Sequence, residues 1–101
     1  MKPPKSFYDF TLQFHQDIDV VYPNWLSDSP TARHDIYNSF RQSYGDDAVR
    51  ELNDFFDKLM SNEHVHLGAF WFKESKADWV ISSKGIRRLF KDFQAWASSL
   101  K

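Results

Sequence analysis

The stretch His64-Val65-His66-Leu67-Gly68-Ala69-Phe70-Trp71-Phe72 decides how this 101-residue chain is read, because its period departs from that of its surroundings. Val65, Leu67, Ala69 and Trp71 alternate with His66, Gly68, Phe70 and Phe72, and such alternation marks a strand rather than a helix. A polar run from Lys73 to Asp78 leads on to Trp79-Val80-Ile81, so the pattern predicts a β-hairpin. A lone hairpin is marginal in water, so its apolar face must pack against helices.

Helical patterns lie on both sides. After the hairpin, Ser82 or Ser83 caps a closing helix in which Ile86, Leu89, Phe90, Phe93, Trp96, Ala97 and Leu100 fall on one side. Lys84, Arg87, Arg88 and Lys91 fall opposite, so the helix docks on a core and faces outward with charge. Before the hairpin, Val49, Leu52, Phe55, Phe56, Leu59 and Met60 repeat at three and four residues, while Asp47, Glu51, Asp54 and Lys58 face away. That predicts a helix ending near Ser61 and capped by Asp46 or Asp47. Gly45 closes the preceding helix, which Ser29-Pro30 opens and which buries Ile36, Tyr37, Phe40 and Tyr44.

At the start of the chain, Phe7, Phe10 and Phe14 sit at helical spacing with Ser6 placed to cap, although Phe10, Leu12 and Phe14 also alternate. Helix is the preferred reading. The opening Lys5-Ser6-Phe7-Tyr8-Asp9-Phe10 resembles the start of some small bacterial SAM-like helical proteins; the likeness ends there and implies nothing about function. Asp17 to Ser29 reads as an ordered irregular connection held down by Val20, Val21, Tyr22, Trp25 and Leu26. The predicted fold is a mainly helical α+β domain of three to four helices, with one antiparallel hairpin between the third and last helix. Length predicts a single globular domain over 1–101 with residues 1–5 flexible, and a chain of this size hides roughly two-thirds of its unfolded surface.

Composition narrows the function classes. Hydrophobic residues at 42% and charged residues at 27% suit a folded domain rather than a disordered one. The absence of cysteine excludes disulfides, thiolate metal sites and thiol nucleophiles. Neither a secretory leader nor the ~20 apolar residues of a membrane span is present, so a cytoplasmic protein without a membrane partner is expected. Residues 1–63 carry six Lys and Arg against eleven Asp and Glu, a net −5, whereas residues 64–101 carry seven against three, a net +4. If the fold keeps these ends apart, the surface is dipolar and can steer a charged partner; if it stacks them, the charges pair.

Each chemical motif has a plainer structural reading. His64-x-His66 on a strand would put two imidazoles on one side, yet two ligands do not make a metal site, and rim histidines are the simpler account. No Gly-x-Ser-x-Gly elbow, phosphate-cradling Gly-rich loop or His-Glu-x-x-His motif occurs, so catalysis is not expected, nor is a cofactor or small-molecule ligand. The helix, helix, hairpin order resembles a winged helix, but groove reading by Asp47 to Ser61 would set Asp47, Glu51 and Asp54 against phosphates, with only Arg50 and Asn53 to read bases.

Two readings remain. The preferred one is a small non-enzymatic protein-binding module, of inhibitor, immunity-type or adaptor kind, using acidic Asp47, Glu51 and Asp54 with the hairpin aromatics Phe70, Trp71 and Trp79 as anchors. The alternative is a nucleic-acid-binding protein using Lys84, Arg87, Arg88 and Lys91 on phosphates, with stacking by Phe70 or Trp71.

Overall fold

In a computed structural model, which describes residues 2–14, 18–22, 25, 29, 31–75, 77 and 83–100, every regular element is helical. The order is α1 (Lys5–Thr11), α2 (Ile18–Val21), α3 (His34–Tyr44), α4 (Asp46–Ser61), α5 (Leu67–Glu74) and α6 (Ser83–Ser98). The α+β class is therefore corrected to all-α. The first strand of the expected hairpin is α5, and its second, Trp79 to Ile81, lies outside the described residues. With α5 in place of the first wing strand, the winged-helix comparison falls as well.

Residues 67–72 are apolar or small at every position, so a period of two and a period of 3.6 fit them equally well. The ends settle the matter. His66 caps the first turn, its Nδ1 accepting the Ala69 N–H at 3.1 Å, and Ser83 Oγ accepts the Gly68 N–H at 2.9 Å. A helix satisfies its own backbone, whereas a lone hairpin leaves edges open. It also sends Leu67 and Trp71 into the core while Phe72 points to solvent. Gly68 lets α5 lie against the start of α6: a Cβ there would stand 3.0 Å from Ser83 Oγ and 3.1 Å from the Ser83 nitrogen.

α4 and α6 follow their apolar stripes, whereas α3 buries Ile36, Tyr37 and Phe40 but leaves Tyr44 exposed, and Val20, expected to hold down the 17–29 connection, is exposed on α2. α4 buries Val49, Leu52, Phe55, Phe56 and Leu59, and ends at Ser61 as its period implies. α6 buries Ile86, Leu89, Phe90, Phe93 and Trp96. α6 packs against α4, α5 and α3, while α1 packs against α4 and α3. Eight phenylalanines (Phe7, Phe10, Phe14, Phe40, Phe55, Phe56, Phe90 and Phe93) join Trp25, Tyr37, Trp71 and Trp96 in one buried cluster. Phe93 is central to it, within 5.2–5.4 Å of the rings of Phe10, Tyr37, Phe56 and Trp96, so four helices meet around one side chain. The high aromatic content is thus largely core material.

Local details differ from expectation at several helix ends. Gly45, at φ 91°, serves as both the last cap of α3 and the first cap of α4, a backbone shape that glycine adopts at little cost. Asp46 and Asp47 lie within the first turn of α4 rather than capping it. Arg41 Nε reaches across this elbow to Asp46 Oδ1 at 2.6 Å, and that contact holds the Asp46 carboxyl below the usual carboxylate range. α3 begins at His34, later than Ser29-Pro30 implies; Ser29 shapes the preceding turn instead, its carbonyl accepting the Ala32 N–H. Pro4, not Ser6, precedes α1, and Ser6 is buried with its hydroxyl donating to Glu51 Oε1 at 2.7 Å.

Candidate functional site

α6 places its charged residues by simple helical geometry. With Ile86, Leu89, Phe90, Phe93 and Trp96 turned inward, Lys84, Arg87, Arg88 and Lys91 are left on the solvent side, and all four are exposed. The helix contains a single acid, Asp92. It stands on the inner side, three residues after Leu89 and four before Trp96, where Oδ2 accepts from Arg33 Nε at 2.8 Å and from the Tyr37 hydroxyl at 2.6 Å. Arg33, only 8% exposed, also donates from Nη1 to the Trp25 carbonyl at 2.8 Å and so ties the connection before α3 to α6.

This cluster has a clear electrostatic logic. Burial works against the Arg33 charge, but Asp92 beside it outweighs burial and raises the guanidinium further above its ordinary range. Burial, reinforced by the hydrogen bond to Asp92, pushes the Tyr37 hydroxyl far up, so it stays protonated and keeps donating. Because Asp92 turns inward to Arg33 and Tyr37, it does not pair with Lys84, Arg87 or Lys91 of the outer face. Among the described residues, no ion pair involves Lys84, Arg87 or Lys91. α4 and α6 pack together, yet no ion pair joins Asp47, Glu51 or Asp54 of one to these cations of the other.

The acidic face of α4 is more occupied. Asp47 pairs with Arg50, and Glu51 accepts from Ser6. Asp54 is exposed and makes no ion pair with Arg50 or Lys58 among the described residues. The aromatics divide. Trp71 is 1% exposed and packs on Phe7, Phe14 and Phe90; Phe70 is half-buried against Phe7 and Phe55; Trp79 lies outside the described residues. Phe72, at 73% exposure, is the aromatic that α5 offers to solvent, with exposed Lys73 beside it.

His64 and His66 do not share a strand face. His66 caps α5, His64 is exposed in the turn before it, and no group of three His, Asp or Glu side chains able to hold a metal ion forms among the described residues. No helix among those residues is long and apolar enough to cross a membrane. Sequence reasoning found the α6 stripe but missed the Arg33–Asp92–Tyr37 cluster, for which an acid on the apolar side of α6 was the available signal. It also missed the pairing of His66 with Ser83. Compared with known proteins, no family model matches the chain, and neither a curated protein nor a solved structure matches it.

Proposed function

We propose that the chain is a small non-enzymatic nucleic-acid-binding module that lays the outer face of α6 along a phosphate backbone. The observation that carries this reading is that Asp92 turns inward, part-buried against Arg33 and Tyr37, which leaves Lys84, Arg87, Arg88 and Lys91 as four exposed cations over two turns with no acid on the same helix face. Cations so grouped meet several phosphates together and release their counterions. Phe72, exposed on the neighbouring α5, adds a ring on which an unpaired base can stack. A cytoplasmic location, where nucleic acid is abundant, suits this reading. The protein-binding alternative has less support, since Asp47 and Glu51 are engaged within the molecule and Trp71 would have to be uncovered to act as an anchor.

A salt series tests the proposal. Fluorescence anisotropy of a labelled single-stranded oligonucleotide should give an association constant whose logarithm falls linearly with log salt, with a slope of about −3 for four phosphate contacts. Arg87→Ala combined with Arg88→Ala should roughly halve that slope while leaving the helical circular dichroism unchanged. Absence of binding to DNA and RNA at low ionic strength would end the proposal.

A further inference from the structure

A recess of about 330 Å³ opens where the start of α5 meets the start of α6, lined by Val65, His66, Leu67, Ser83, Lys84 and Arg87. We infer that it receives the terminal phosphomonoester of a nucleic-acid strand whose following phosphates run along α6. This rests on the reading of α6 given above. The polar lining is made of donors. Ser83 Oγ accepts the Gly68 N–H and lies 3.3–3.4 Å from the His66 ring nitrogens, so the hydroxyl and the imidazole are hydrogen-bonded to one another. His66 Nδ1 accepts the Ala69 N–H, so the neutral ring carries its proton on Nε2. Lys84 and Arg87, one turn apart on α6, bring two positive charges and no acceptor. With no carboxylate among the described lining residues, the recess suits a group that only accepts.

A chain end fits such a lining better than a chain interior. A phosphomonoester carries about −1.5 to −2 charges near neutral pH and three strong acceptor oxygens, whereas an internal diester carries one charge. Two cations and the one proton that the hydrogen-bonded Ser83–His66 pair has to spare answer the former. The volume is at the low end for ligand sites, enough for a terminal phosphate and its sugar against Val65 and Leu67. Lys84 and Arg87 also begin the outer stripe, and Arg88 and Lys91 continue it over ~10 Å of helix, so a strand anchored here has its next phosphates beside them. A second recess, of about 290 Å³ at the α3–α4 elbow, lacks these properties: it contains Asp46, and its Arg41 and Arg50 are already paired with Asp46 and Asp47.

The test compares three labelled oligonucleotides of one sequence, ending in a 5′-phosphate, a 3′-phosphate or hydroxyls alone. One phosphorylated form should bind about tenfold more tightly than the hydroxyl form, the gain expected of charge-assisted hydrogen bonds to the added phosphate. Ser83→Ala and Arg87→Ala, each checked for folding by circular dichroism, should remove that preference. Arg88→Ala with Lys91→Ala should weaken all three oligonucleotides alike and keep the preference. Equal affinity for phosphorylated and hydroxyl ends overturns the recess inference while leaving the α6 reading standing; no binding of any oligonucleotide overturns both. Displacement of the phosphorylated strand by an equal concentration of nucleoside monophosphate would assign the recess to a free nucleotide and overturn the strand-end inference.

Discussion

Replacing Asp92 by alanine should lower the unfolding free energy by about 3–5 kcal/mol, because it removes the carboxylate paired with a buried guanidinium instead of merely deleting a surface contact. Arg33 is 8% exposed, and Asp92 Oδ2 lies 2.8 Å from its Nε. The same change leaves the buried Tyr37 hydroxyl without its acceptor, which adds a desolvation cost. A domain of this kind has only about 5–15 kcal/mol in total, so the variant should unfold at a much lower urea concentration, with little change in slope. Replacing the whole cluster, with Arg33→Met, Tyr37→Phe and Asp92→Leu together, should recover part of the loss, since no charge is then left alone. A loss below about 1 kcal/mol for Asp92→Ala would mean that the pair behaves as an exposed one.

The second large effect concerns Phe93. Truncation to alanine should cost about 3–5 kcal/mol, as expected for a large aromatic removed from a core that cannot close around the gap. The site has little means of collapsing, because Phe10, Tyr37, Phe56 and Trp96 come from α1, α3, α4 and α6 and each is fixed by other rings. Phe72→Ala is the matched control, since the same chemical change on an exposed ring should alter stability by no more than about 0.5 kcal/mol. Similar losses for the two variants, read from urea unfolding, would contradict the assignment of inner and outer faces to α5 and α6.

How legible the fold was depended on how cleanly polar and apolar residues segregate. In α4 and α6 the two classes separate onto opposite sides, so both helices and their buried residues could be read directly. Gly45 could be read as a stop, although not as the shared cap of two helices. Residues 67–72 could not be read, because a run without polar residues carries no period that tells strand from helix. What decides them is the tertiary contact of Gly68 and His66 with Ser83, 15 and 17 residues away. The Arg33–Asp92 pair spans 59 residues and leaves a local trace only in the misplaced acid of α6. The cationic stripe was legible, while the inward place of the one acid on that helix was not, since it depends on the contacts Asp92 makes with Arg33 and Tyr37. Ser6 and Glu51 show the same limit: one looked like a cap and the other like a free surface acid, and the fold joins them.

The most direct test of the central claim is an amide chemical-shift titration of the folded protein with a single-stranded oligonucleotide at low salt. The account predicts that the largest perturbations fall at Lys84, Arg87, Arg88 and Lys91 and along the adjoining edge of α5, with Asp47, Glu51 and Asp54 of α4 unmoved. Perturbations centred on α4, or none anywhere on α6, would contradict it.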